Sequence, residues 1–581
     1  MKKWKVAAGI LLGVLMVMAL VFSFRLGVWV ERSRPGTTVM SLREYFDMED
    51  AAPEEVLVVL DMQVQKETAR AFEEGIYLSF EMVQELFLPR LYLDEYDDLV
   101  MLTTPTQVYC YPLNSRTYTV NEKPQETDYP IARWAEGRIW IALDYLKQQV
   151  DMETNWAEDA EPDRLVLHTS DGVLVTKDVE KETQIRVRAD VKGDILRELL
   201  VGERVFVLDE EGENFDRVMT EDGIIGYARK KHLTERYSVK QSFADRTIDE
   251  REAYTSVPRT EPVVMVWHQV FNQTANSYLA DKLAQTEGVN VISPTWFSIE
   301  NNNGKLTTLA NKEYVELAHS MGLEVWPLIN DFTQGLDYDR IYGSETIRRN
   351  LINNIFYFIY TYDLDGINID FENITEENCR GYIQFLRELS VACRNEGIAL
   401  SVDNYVPTER TIHYDRTEQG ILADYVVVMA YDEHYAGSPV AGSVSSLGWV
   451  ERAVEATMEE VPAEKLVVAL PFYTRLWKES IGEDGLIRLS SEACSMNAGL
   501  NLLAQNGVEP EWDPETAQYY GRWEANGVRH HIWLEEERSL TGKLDRISDY
   551  GNVGGIAFWK LGLEKSEVWP EIVRWKEHAM E

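Results

Sequence analysis

From residue 262 to the C-terminus, short apolar runs alternate with amphipathic stretches of helical length. The apolar runs fall at residues 263–267, 289–293, 324–328, 366–371, 399–402, 425–430, 466–470 and 555–559. Their length fits strands, and the 3.6-residue apolar spacing between them fits helices packed on one face. Near-continuous apolar strands separated by helices imply a parallel sheet covered on both sides. Eight such units predict an α/β fold, a (β/α)8 TIM barrel over residues 259–581. Functional side chains are then expected at the C-terminal ends of the strands.

Upstream the pattern changes. Residues 53–170 mix strand-like runs (56–60, 99–103, 139–143) with short helical pieces such as 80–86, predicting a small α+β domain. Between 178 and 236, β-rich pieces at 185–188, 204–208 and 215–219 lead into Gly223-Ile224-Ile225-Gly226-Tyr227-Ala228, predicting a small all-β barrel. Residues 31–52 and 237–258 are polar and read as linkers. Lys2, Lys3 and Lys5 precede an uncharged apolar run at 6–24, close to the length of one transmembrane helix. Basic residues on that side predict a cytoplasmic stub and export of the chain beyond the apolar run. No A-x-A pattern comes after it, so residues 1–30 read as an uncleaved signal anchor. The bulk of the chain is expected outside the cytoplasm at the cell membrane, or secreted if that segment is removed.

The 581 residues hold 98 acidic against 57 basic side chains, a formal charge of −41. That balance excludes nucleic-acid binding and docking on anionic lipid, both of which need basic surfaces. It suits solubility in an external medium. The four cysteines, Cys110, Cys379, Cys393 and Cys494, have no metal-ligand spacing. Cys379 and Cys393 share a predicted helix, about 20 Å apart along it, too far to pair. Free thiols are expected, with no metal and no cofactor.

The chemistry concentrates in Asp365-Gly366-Ile367-Asn368-Ile369-Asp370-Phe371-Glu372. Strand alternation puts Ile367, Ile369 and Phe371 on one face and Asn368, Asp370 and Glu372 on the other. Polar groups converging in a crevice are costly without a use. Carboxylates this close raise at least one pKa, as a general acid near neutral pH requires.

This segment resembles the fourth-strand signature of glycoside hydrolase family 18, Asp-x-x-Asp-x-Asp-x-Glu, with Asn368 in place of the middle aspartate. The resemblance continues in Met429-Ala430-Tyr431-Asp432, in Pro471-Phe472-Tyr473-Thr474-Arg475-Leu476-Trp477 and in Trp559 after Gly555-Ile556-Ala557-Phe558. It implies a substrate-assisted, retaining hydrolase of β-1,4-linked N-acetylhexosamine glycans such as peptidoglycan, spore cortex or chitin. Glu372, Asp370 and Tyr431 are its implied catalytic residues. Asp365, Asn368, Met429, Asp432, Tyr473, Arg475 and Trp559 are implied to bind substrate. The Asn368 replacement is expected to change the pH profile without abolishing activity, because an amide cannot relay a proton as a carboxyl can. Residues 532–543 resemble the spore-cortex and wall-associated branch. The 53–170 domain resembles the N-terminal domain of copper amine oxidases, without copper ligands, and 178–236 resembles bacterial SH3-like domains that hold wall material.

Rival readings remain for single features. Asp363, Asp365, Gly366 and Glu372 fit four positions of a calcium loop, but Thr361 and Asn368 break that pattern. His268 reads as packed rather than cleft-lining, and Asp403, Asn404 and Tyr405 are placed to meet substrate. Trp296 and Trp326 read as sugar platforms or core. A non-hydrolysing, lectin-like wall protein on the same barrel is the alternative, and the intact Glu372 argues against it.

Overall fold

The structure, a computed structural model, describes residues 12–26, 34–158, 160–209, 213–242, 253–482 and 486–580. The chain divides into two compact units. The first comprises residues 1–91, 111–118 and 125–251, and the second 92–110, 119–124 and 252–581.

In the first unit a sheet is built from Ala132–Ala135, Arg138–Ala142, Gly75–Ser79, Ala69–Phe72, Glu55–Leu60, Arg164–His168 and Glu153–Ala157, in that spatial order. Two short helices, Phe80–Leu86 and Leu143–Gln149, each begin where a strand ends. Ser79 caps the former by accepting the Met82 N–H. A second, wholly antiparallel sheet of seven strands runs from Gly172–Asp178 to Tyr237–Gln241. It extends past both bounds expected for the all-β region, because Gly172–Thr176 pairs with Tyr237–Gln241. Residues 34–52 are likewise ordered. Met40 N–H donates to Ile195 O at 3.0 Å, and Met48 is buried. Local polarity hid both attachments.

Residues 12–26 are helical with exposed side chains. Among the described residues no helix is long and apolar enough to cross a membrane. Residues 6–11 of the expected anchor lie outside the described residues.

The second unit is the barrel. Its strands are β1 (Val263–His268), β2 (Val291–Pro294), β3 in two pieces (Glu324–Val325 and Leu328–Asn330), β4 (Gly366–Asp370), β5 (Ala399–Tyr405), β6 (Tyr425–Met429), β7 (Leu466–Pro471) and β8 (Gly555–Trp559). Each pairs in parallel with the next, and β8 returns to β1, closing the ring. Pro327 has no N–H to give the ladder and splits β3. The first piece pairs with β2 and the second with β4.

Alternation sorts side chains into two cores. Val263, Met265, Trp267, Trp326, Val427, Ala469 and Ala557 fill the inside of the ring. Val264, Val266, Ile367, Ile369, Val468 and Phe558 face the helices. Gly366 makes room for Trp326, since a Cβ there would lie 2.5 Å from the indole Cδ1. The longest described helices are α1 (Glu345–Tyr362) and α2 (Cys379–Glu396), 18 residues each. Cys379 and Cys393 both lie on α2, and all four cysteines are free. Between β7 and β8 a five-stranded antiparallel sheet is inserted, from Tyr473–Ile481 to Val528–Leu534.

Candidate active site

At the C-terminal ends of the strands lies a cavity of about 620 Å³, lined among others by Trp267, Asp370, Glu372, Asp403, Tyr405, Met429, Tyr431, Asp432, Tyr473 and Trp559. A second hollow of about 470 Å³ shares Leu328, Phe332, Asp370 and Trp559 with it and continues past Gln269, Phe271 and Trp296. Together they form a groove crossing the barrel mouth at Asp370 and Trp559.

Glu372 stands two residues beyond the inward-facing Asp370, just past the end of β4. Its backbone is pinned before its side chain is considered. The N–H groups of Glu372 and Asn373 both donate to the buried Asp331 carboxylate at 3.0 Å, and the Tyr414 hydroxyl donates to Glu372 O at 3.2 Å. The Tyr405 hydroxyl donates to Glu372 Oε2. Burial raises the Glu372 pKa above the usual carboxylate range and the Tyr405 bond opposes it. The Asp331 and Asp432 charges add to the rise.

Asp370 is only 7 % exposed, and its Oδ1 has no hydrogen-bond partner among the described residues. Desolvation, followed by the charges of Asp403, Glu372 and Asp331, drives its pKa well above the ordinary value. Asp403, from β5, is likewise raised by burial, against a lowering hydrogen bond from Asn368. These acids cannot all ionise together.

Asn368 lies under the floor rather than on the cavity wall. Its Oδ1 accepts from Trp267 Nε1 at 2.9 Å, while Nδ2 donates to Asp403 Oδ1 at 2.8 Å and Ser401 Oγ at 3.0 Å. The amide is thus a fixed brace between β1, β4 and β5. Tyr431 follows β6, where burial raises its pKa well above the ordinary phenol value. The Tyr473 hydroxyl donates to Asp432 Oδ1 at 2.5 Å. Trp559 meets Trp267 edge-on, with centroids 5.8 Å apart.

Of the residues singled out in the sequence, Glu372, Asp370, Tyr431, Met429, Asp432, Tyr473 and Trp559 therefore share one cavity. Two lie elsewhere. Asp365 precedes β4, at the opposite end of the barrel, where it accepts the Val325 N–H at 2.8 Å and meets His319 Nε2 at 2.9 Å. Strand direction explains this, because seven residues separate it from Glu372. Arg475 lies on the inserted sheet, donates to Ser491 Oγ at 3.0 Å and does not line the cavity.

Alternation also divides the β5 trio. Asp403 and Tyr405 enter the cavity, whereas Asn404 points outward to Gln419 Oε1 at 2.6 Å. His268 is buried outside the ring against Tyr314, with Nδ1 3.0 Å from the hydroxyl. Trp326 is barrel core, and Trp296 edges the second hollow. Asp331 was missed. Its signal was a carboxylate at the end of an apolar run, at the C-terminal end of β3. The calcium-loop spacing is broken up, since α1 runs through Tyr362 and β4 begins at Gly366.

The family model described as "Glycosyl hydrolases family 18" matches residues 263–564. Among curated proteins, the cortical fragment-lytic enzyme of Bacillus subtilis (strain 168) is 30 % identical over 235 residues, 39 % of this chain and 53 % of that protein. The uncharacterized glycosylase YvbX of the same organism is 24 % identical over 300 residues, 49 % of this chain and 84 % of that one. The crystal structure of the Bacillus cereus spore cortex-lytic enzyme SleL aligns with a TM-score of 0.47 at 22 % identity, covering 54 % of this chain and 74 % of that one. The chain spans about half the length of the cortical fragment-lytic enzymes it matches.

Proposed function

The chain belongs to glycosyl hydrolases family 18, and from that premise we propose that it hydrolyses β-1,4-linked N-acetylhexosamine glycans with retention, by a substrate-assisted route. The observation that carries this reading is the buried, raised Asp370 two residues before a tyrosine-held Glu372, both on one cavity with Tyr431 and Trp559. Glu372 gives its proton to the departing glycosidic oxygen. The substrate's 2-acetamido carbonyl oxygen bonds to the anomeric carbon as that C–O bond breaks, forming an oxazolinium ion. Asp370 accepts the acetamido N–H and balances the positive charge, and the Tyr431 hydroxyl donates to the acetamido oxygen. Glu372, now a carboxylate, takes a proton from water as that water opens the ring. Trp559 offers an aromatic face to the apolar face of the pyranose.

Wall peptidoglycan or spore cortex is the substrate class favoured over chitin. The relatives named for cortical fragment lysis support it, as does the resemblance of residues 532–543. Export and membrane tethering through residues 6–24, a spacer role for the 53–170 domain and wall contact through the 178–236 region belong to the same reading. The basic N-terminal flank and the acidic remainder of the chain support them.

The test uses the full chain and Glu372→Gln on purified peptidoglycan, spore cortex and chito-oligomers, scoring released reducing ends. Loss of the general acid is expected to lower kcat by about a hundredfold or more. Equal cutting by both forms would remove Glu372 from this role. Binding without cutting by the wild type would sink the hydrolase reading.

A further inference from the structure

The proposed chemistry gives no role to the one basic group on the cleft lining. Arg410 lines the same cavity as Glu372, Tyr405 and Asp432, and it is the single basic side chain on that lining. Three buried or half-buried guanidinium groups of this unit are engaged, Arg259 by Glu324, Arg387 by Glu418 and Arg416 by Glu460. Among the described residues no carboxylate pairs with Arg410, although acidic side chains outnumber basic ones 98 to 57. In such a chain an unclaimed cation facing a substrate groove is available to an anion brought by the substrate.

Its mounting is rigid. Thr411 N–H donates to Thr408 O at 2.9 Å, closing a turn in which Arg410 is the third residue. Thr408 N–H returns to Thr411 Oγ1 at 3.0 Å. The buried Arg416 clamps the same threonine, donating to its carbonyl at 3.0 Å and its hydroxyl at 2.8 Å. His413 Nε2 then ties the segment to Ile374 O at 2.9 Å. Little backbone ordering is left for the moment of binding, which favours affinity.

The location selects which sugar Arg410 meets. Tyr405, five residues earlier, bonds Glu372, so this loop forms the wall beside the acid. The continuing hollow past Gln269, Phe271 and Trp296 contains neither Glu372 nor Arg410. An acid stands where the leaving oxygen departs, so the Arg410 side of the cavity takes the leaving-group sugar. Burial holds Asp370, Glu372 and Asp403 above the ordinary carboxylate range, which lessens the negative charge that an anionic substrate meets.

We propose that Arg410 reads a carboxylate carried by the leaving-group sugar, so that the preferred substrate is an N-acetylhexosamine glycan with acidic ether or peptidyl substituents rather than a neutral homopolymer. The inference rests on the hydrolase reading above. A guanidinium suits this task because its planar fork donates two parallel hydrogen bonds to one carboxylate.

The test compares the full chain with Arg410→Ala and Arg410→Lys on alternating glycans whose 3-O-lactyl carboxyl is free, amidated, or joined to alanine bearing its own carboxylate. Wild-type kcat/KM is expected to favour a carboxylated form over the amidated one by about tenfold or more. That ratio should shrink with added salt, fall toward one in Arg410→Ala and survive in part in Arg410→Lys. The free-lactyl and alanyl arms tell which carboxylate is read. A ratio that Arg410→Ala leaves unchanged overturns the proposal, because a merely structural arginine would lower all forms together. Equal wild-type rates on carboxylated and amidated glycans overturn it as well. If the wild type cuts none of the three, nor chito-oligomers, the hydrolase reading falls and takes this proposal with it.

Discussion

At the scale of single residues, the barrel holds an imidazole in a site that favours its neutral form. Burial, with the Lys282 and Lys560 charges adding to it, depresses the His268 pKa to about 4. The side chain is 1 % exposed and stacks on Tyr314 at a 16° interplanar angle. In the unfolded chain the same histidine takes a proton near pH 6.5. The unfolded state therefore gains a proton first as pH falls, and stability is lost between about pH 6.5 and pH 4. The full effect is about 3 kcal/mol. His268→Gln should flatten that part of the stability–pH curve, measured by urea unfolding at pH 7, 5.5 and 4.5. Parallel curves for the two proteins would show that His268 is not the titrating group. Legibility at this scale follows geometry. Period-two alternation around Asp370 points to the cavity and is readable from sequence. The brace role of Asn368 depends on Trp267 and Asp403, which lie on other strands, and no local pattern reports it.

At the scale of elements, α1 and α2 are held by a buried ionic cluster. Arg348 on α1 is fully buried, donating to Glu388 on α2 at 2.9 Å, to Asp94 at 3.2 Å and to Tyr342 O at 2.8 Å. Removing the cation leaves two buried carboxylates without it, a loss of roughly 3–5 kcal/mol. Arg348→Met should lower the urea midpoint of the barrel transition accordingly, followed by tryptophan fluorescence, while an unchanged midpoint would mean the carboxylates find other partners. The eight strands are legible because each is a short apolar run between turn residues. The break in β3 at Pro327 is legible in principle, since proline cannot complete a ladder. The extra strand pairing of Gly172–Thr176 with Tyr237–Gln241 is not, because pairing partners more than sixty residues apart leave no periodic trace.

For the whole molecule, the second unit is not one stretch of chain. Residues 92–110 and 119–124 belong to it with 252–581. Asp97 Oδ2 accepts the Ser344 hydroxyl at 2.7 Å and the Thr346 N–H at 2.9 Å, and Thr103 accepts from Gln384 at 3.1 Å. A chain begun at residue 252 lacks these groups. It is expected to show faster amide hydrogen exchange in α1 and α2 than the full chain and an earlier unfolding midpoint. Equal protection would show that the early segment is dispensable. Sequence patterning set the barrel's start near residue 259 because the segment at 92–124 has strand character like its neighbours and carries no mark of where it will dock. The same arrangement sets an order of events during synthesis. Asp94 precedes Arg348 by 254 residues. A ribosome adding roughly 5–20 residues per second supplies the arginine about 13–50 s after the aspartate. Through that interval the nascent chain carries a carboxylate whose burial has no cation to meet it, and a chaperone that delays its collapse would govern the yield of folded protein.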